Sequence, residues 1–202
     1  TYRPFTKDEL KEIYKLVHED EDIERRWMFD VLLCTGARQS EVTKLRNTDI
    51  KTTKGGVWYF DFKHDPLNKY PTQLKSGKTG ERQVPWHKLL QQNHYSEYIQ
   101  GIKHEGYIIQ RSRTASVWTR WFKDAVPKKL GIYTKRVTGL HSIRNTTIDL
   151  WREAGIDQEH RRTFVAHASK DIQDRVYGEG LKNMPEVLNR ELIKLDLSWL
   201  EK

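Results

Sequence analysis

The chain has 202 residues, enough for one domain with a sizeable core or for two small ones. Its 36 Lys+Arg against 28 Asp+Glu give a formal charge of +8, a basic excess that permits a polyanionic partner such as nucleic acid without requiring one. With no apolar run near the roughly 20 residues of a membrane span, no signal-peptide pattern in the opening TYRPFTKDEL and a single cysteine, Cys34, that cannot form an intrachain disulfide, a soluble intracellular protein in a reducing compartment is expected.

Thr6 is placed to cap a first amphipathic helix, TKDELKEIYKLVHED, in which Leu10, Ile13, Tyr14 and Val17 recur at helical spacing. A second helix is expected from about Asp22, its apolar stretch RWMFDVLLCTG stopped by Gly36 as a C-cap. A short third helix follows within ARQSEVTKLRNTDI. From about Ile50 the pattern becomes β-like, with a Gly-Gly turn and alternating Trp58, Phe60 and Phe62. A further strand resumes at Arg82–Val84 after the turn in PTQLKSGKTG, and Pro85 ends it. The remainder reads as helical. HKLLQQNHYSEYIQGIKH breaks near Asn93, YIIQR is a short extended piece, and TASVWTRWFKDAVPKKLGI is capped at Thr114 or Ser112. Helices are then expected over Ser142–Glu153, Gln158–His167 and Pro185–Leu195, with a loop holding Tyr177 between the last two. The tail DLSWLEK carries an apolar Leu197/Trp199/Leu200 face that must pack on this protomer or on a neighbour. With no composition break or repeat, the expected architecture is one α+β domain, mainly helical, with a small antiparallel sheet of about three strands.

Five groups of residues offer chemistry, and each taken singly has an ordinary structural explanation. Arg38 opens the third helix and presents the fixed fork that suits phosphate oxygens, with Glu41 three residues on to orient it. Lys75 and Lys78 flank a glycine turn, and either suits phosphate contact or proton donation to a leaving oxygen. His141 and Arg144 are three apart, on one face of a helix whose N-terminus already favours anions. His167 ends an apolar helical segment, and Tyr177 lies in DRVYGEG, where a phenol of pKa about 10 needs cations or a base to act as a nucleophile. Zinc-type ligand spacing, a Walker loop, G-x-S-x-G and the Rossmann glycines are missing from the sequence.

Order and spacing together resemble the catalytic domain of tyrosine recombinases, most of all the phage integrases. TGARQSEVTKL is similar to the family's first box, which holds a catalytic Arg at Arg38. LKSGKTGERQVPW is similar to the hairpin with a catalytic Lys followed by Arg-x-Val-Pro, matching Lys75, with Lys78 as the alternative because the turn is slightly long. HSIRNTTIDLWREAGID resembles the second box with His141 and Arg144, FVAHAS the Leu-Gly-His-Ser segment with His167, and DRVYGEG the segment of the nucleophile, Tyr177. Ala166 stands where the family commonly has Gly.

The resemblance implies that the tyrosine attacks a phosphodiester and forms a 3′-phosphotyrosyl link. The two arginines would hold the phosphate, the lysine would protonate the leaving 5′-oxygen, and neither metal, ATP nor any other cofactor would be needed. It implies double-stranded DNA at specific attachment sites as substrate, a homotetramer on that DNA, accessory DNA-bending proteins, integration and excision as outcomes, and a phage- or prophage-encoded enzyme acting in the bacterial cytoplasm. Lys78, Lys135, Arg136, Arg161 and Arg162 are candidate DNA contacts. Residues 1–202 are expected to be the catalytic domain of a longer enzyme, without its N-terminal core-binding domain, and 180–202 to be a helix and tail that dock on a neighbouring protomer. The competing readings are a type IB topoisomerase and a DNA-binding module without cleavage.

Overall fold

The computed structural model describes residues 1–167 and 180–202. Helix α1 (Lys7–His18) begins at a complete capping box: the Thr6 side chain accepts from the Glu9 N–H and Glu9 reaches back to the Thr6 N–H. Its inward face is Leu10, Ile13, Tyr14 and Val17, the four residues whose spacing predicted it. Helix α2 (Ile23–Thr35) is buried from Trp27 onward and stops at Gly36, whose φ of 60° is the left-handed cap that glycine adopts without steric cost. A short α3 (Gln39–Thr43) follows.

The sheet has three antiparallel strands in the order β1 (Ile50–Thr52), β2 (Trp58–Phe62), β3 (Arg82–Pro85). Phe60 faces Val84 and Phe62 faces Arg82, while Pro85 is the last paired residue, opposite Tyr59. Trp27 of α2 is the hub between helices and sheet: its ring lies 5.9 Å from Phe60 and Trp86 and 5.2 Å from Tyr95. Burying such aromatic surface, at about 25 cal/mol per Å², is the main force joining the two layers.

Helices α4 (Lys88–Gln92) and α5 (Tyr95–Gly101) are separated at Asn93, as expected, with His94 in the left-handed region. Beneath them Asp30 is fully buried. It accepts from Tyr95 Oη at 2.8 Å and Asn93 Nδ2 at 2.9 Å and pairs with His18 Nε2. The YIIQR piece is not a strand; it contributes one bridge, Tyr107 to Arg46. Helix α6 is Ala115–Ala125, after Thr114.

Three helix boundaries differ from expectation. Helix α7 runs Leu140–Glu153, so it starts before His141 and puts that residue inside its first turn. Helix α8 stops at Phe164 rather than His167, because Ala166 takes a left-handed φ of 55° and turns the chain out of the helix. Helix α9 (Pro185–Leu192) ends a turn early. The tail then forms a 3-10 turn, Ser198–Glu201, with Leu197 and Leu200 buried, Tyr14 Oη 3.2 Å from a Glu201 carboxylate oxygen and the Lys7 ammonium over the Trp199 ring. Within this chain the apolar tail face lies against α1. Among the described residues, no helix is long and apolar enough to cross a membrane.

The expected α+β class, mainly helical around a three-stranded antiparallel sheet, is therefore the observed one.

Candidate active site

The site forms where the C-terminal end of α2, the N-terminus of α7 and the end of α8 meet. Gly36 allows the approach. A Cβ there would lie 3.0 Å from the Trp151 ring of α7 and 3.1 Å from Val165, so tight space adds to the positive φ in favouring glycine. Thr147 of α7 donates to Leu33 O at 2.9 Å, and Arg144 donates one Nη1–H to Gly36 O. The other Nη of Arg144 reaches Val165 O at 3.0 Å and His167 Nε2 at 3.1 Å. One buried guanidinium thus joins all three segments and holds a histidine from the third.

Arg38 precedes α3 with extended backbone. Its N–H donates to Glu41 Oε2 at 2.8 Å, half of a capping box, and its Nη1 is 3.5 Å from Glu41 Oε1, the outer limit of a hydrogen bond. The guanidinium of Arg38 is part-exposed, with 23% of its side-chain surface open. Glu41 itself is buried and gives its closest side-chain contact to Arg82, whose Nη2 is 2.9 Å away.

The charges act on one another as a cluster. Burial, then Arg38 and Arg82, push the Arg144 guanidinium down to about 10, against the opposing pull of Glu41. His141 is held below the ordinary imidazole value by desolvation first, then by the charges of Arg144, Arg38 and Lys75. His167 is lowered in the same way, by desolvation and then Arg144, Arg38, Arg82 and Arg162. Both imidazoles keep solvent-exposed surface. Two neutral imidazoles beside two guanidiniums offer hydrogen bonding and proton transfer next to an anion-binding centre.

Arg38 and Arg144 thus act on both His141 and His167, and the charge of Lys75 reaches His141. Lys75 sits exposed at the turn after β2, and Lys78 lies exposed in the 3-10 turn Gly77–Gly80. Tyr177 lies outside the described residues. Lys135 and Arg136 are exposed just before α7, and Arg161 and Arg162 are half-buried on α8.

One participant was not singled out from the sequence. In the sequence Arg82 resumes a strand and opens the Arg-x-Val-Pro segment with no role of its own, yet it is fully inward, with 1% of its side chain exposed. The available signal was the alternation itself: Arg82 shares the inward face of β3 with Val84, and a charge there needs a buried partner.

The sequence profile of the Phage integrase family matches residues 3–183. The chain belongs to this family.

Several solved structures have a similar fold at low identity. The XerH site-specific recombinase bound to difH substrate in a pre-cleavage complex is 15% identical over 95% of this chain and 49% of that one, with a TM-score of 0.60. A λ integrase dimer bound to a COC′ core site is 19% identical over 86% and 48%, with a TM-score of 0.61. XerA recombinase is 17% identical over 95% and 63%, with a TM-score of 0.59. The chain therefore spans about half the length of the first two. No curated protein matches its sequence.

Proposed function

We propose that this integrase-family chain carries the catalytic centre of a site-specific DNA recombinase. The enzyme cuts and rejoins DNA through a 3′-phosphotyrosine. The observation that carries the reading is the meeting of Arg38, His141, Arg144 and His167 from three separated segments, with Arg144 Nη2 3.1 Å from His167 Nε2. In the proposed reaction the Tyr177 oxygen attacks the scissile phosphorus. The P–O5′ bond breaks as the P–O(Tyr) bond forms. Arg38 and Arg144 hold the non-bridging oxygens, whose charge grows in the pentacoordinate transition state. Lys75 gives the leaving 5′-oxygen its proton; the reach of its charge to His141 supports that role. His141 assists proton transfer at the nucleophile, and His167, held by Arg144, bonds a phosphate oxygen or helps place the tyrosine.

Return of the bond to a partner strand's 5′-hydroxyl keeps its energy in the covalent link, so the steps balance without ATP. Lys78, Lys135, Arg136, Arg161 and Arg162 face the DNA backbone in this reading. The substrate is double-stranded DNA at attachment sites, and the working unit is a tetramer assembled on it. DNA-bending proteins would assist in integration and excision of a phage or prophage genome. Membership of the Phage integrase family favours strand exchange over supercoil relaxation by the same chemistry.

The test is a nicked suicide duplex, selected from a randomised pool, from which the 5′-leaving strand diffuses away. A covalent protein–DNA adduct on a denaturing gel is expected with the parent chain and none with Tyr177→Phe. No adduct from the parent on any selected duplex overturns the reading, and an adduct that persists in Tyr177→Phe overturns the nucleophile.

A further inference from the structure

Arg82 makes more contacts than a strand residue needs. Its Nη2 and Nη1 sit 2.9 and 3.4 Å from the two oxygens of Glu41. Its Nε donates to Phe164 O at 2.8 Å and its Nη1 to Gly80 O at 3.0 Å. The guanidinium plane is covered by the Phe62 ring, 4.4 Å away. Phe164 ends α8 three residues before His167, Gly80 ends the turn that begins after Lys75, and Glu41 caps the N–H of Arg38. Three of the segments that bring cations or imidazole to the site are thus tied to one buried guanidinium.

The distribution of bonds at Glu41 is the informative part. A buried carboxylate needs a partner. Two guanidiniums compete for this one, and Arg82 takes it with the fork geometry that Arg provides. Arg38 is left with a backbone bond to Glu41 and only the 3.5 Å side-chain contact. Its backbone is fixed while its guanidinium stays available to an anion.

We infer that Arg82 is a positioning residue for the recombinase reaction: by occupying Glu41 it keeps the Arg38 guanidinium free to take the scissile phosphate. This rests on the function proposed above for the anion but not on the identity of the nucleophile. Without Arg82, the unpartnered Glu41 captures the Arg38 side chain and the anion site closes.

The experiment compares the parent chain with Arg82→Met, Arg82→Lys and the double variant Glu41→Gln/Arg82→Met. It has two readouts: the rate of adduct formation on the suicide duplex, and the rise in melting temperature produced by inorganic phosphate. Arg82→Met is expected to lower the cleavage rate at least 100-fold and to abolish the phosphate-induced rise. Removing the carboxylate's charge in the double variant releases Arg38, so the phosphate response returns and cleavage recovers at least tenfold over Arg82→Met. Arg82→Lys, which keeps a cation on Glu41 without the fork, falls between parent and Arg82→Met and retains the phosphate response. If Arg82→Met does not fold, the double variant and Arg82→Lys decide on the phosphate response alone.

A merely structural role predicts the opposite order, with the double variant no better than the single one in either readout, and that result overturns the inference. So does a folded Arg82→Met that cleaves within threefold of the parent. If the parent makes no adduct while phosphate gives the expected pattern across the variants, the recombinase reading falls and the positioning role stands.

Discussion

Arg144 shows how much one side chain does here. Its donors go to Gly36 O, Val165 O and His167 Nε2, which leaves no room for a point-charge substitute. Arg144→Lys is expected to lower adduct formation at least 100-fold, about 2.7 kcal/mol of lost transition-state stabilisation. Chain melting should also drop, because two buried carbonyls lose their donors. The histidines make a pH prediction whose sign follows from their surroundings. Desolvation and the neighbouring arginines hold His141 and His167 below the free imidazole value. The unfolded chain therefore takes up protons first as pH falls below about 6.5. Stability should be flat above that pH and decline beneath it. Adduct formation should likewise hold constant down through pH 6.5 and fall only at lower pH; a fall centred at or above 6.5 contradicts the assignment. Ala166 is the remaining residue of interest. Its left-handed φ of 55° costs an L-residue about 1 kcal/mol, so Ala166→Gly should raise stability by up to that amount, read as a melting shift of a few degrees.

At the level of elements, periodicity and punctuation made most of the fold legible. The stripe of Leu10, Ile13, Tyr14 and Val17, the cap at Gly36, the break at Asn93 and the alternation of Phe60 and Phe62 all correspond to observed features. The misses share one cause, tertiary override of local pattern. Helix α8 ends early because Ala166 turns where its side chain gives no glycine signal. YIIQR, expected as a short extended piece, is no miss: it contributes the bridge from Tyr107 to Arg46 and is buried through Ile108 and Ile109. Asp30 was hidden for a similar reason: inside the run RWMFDVLLCTG it reads as a lone polar interruption, whereas its partners Tyr95 and Asn93 come from far along the chain. Asp30→Leu strands the Tyr95 hydroxyl and the Asn93 amide and should cost about 2–4 kcal/mol, measured as a shifted denaturant midpoint at unchanged slope. A loss below about 0.5 kcal/mol contradicts the buried network.

At the level of the whole molecule, the candidate site was legible as a set of positions but not as a geometry. Arg38, Lys75, His141, Arg144 and His167 are each proposed from motif order; three segments far apart in sequence bring Arg38, His141, Arg144 and His167 near one another, while Lys75 comes from the hairpin. Arg82 escaped because its role exists only once β3, α3 and α8 have met. A basic chain of this kind should bind duplex DNA through phosphates, so its affinity should fall steeply with salt, with a log–log slope near −0.9 for each phosphate neutralised. Neutralising Lys135 and Arg136 together should reduce that slope by about two, while leaving cleavage at saturating DNA unchanged. The central claim is that these separated segments arm Tyr177 against a phosphodiester. The most direct measurement takes the adduct from the suicide duplex, digests it with protease and nuclease, and maps the linked nucleotide by tandem mass spectrometry. The account predicts a single modified residue, Tyr177, joined to a 3′-phosphate; a nucleotide on any other residue, or a 5′-phosphate linkage, would contradict it.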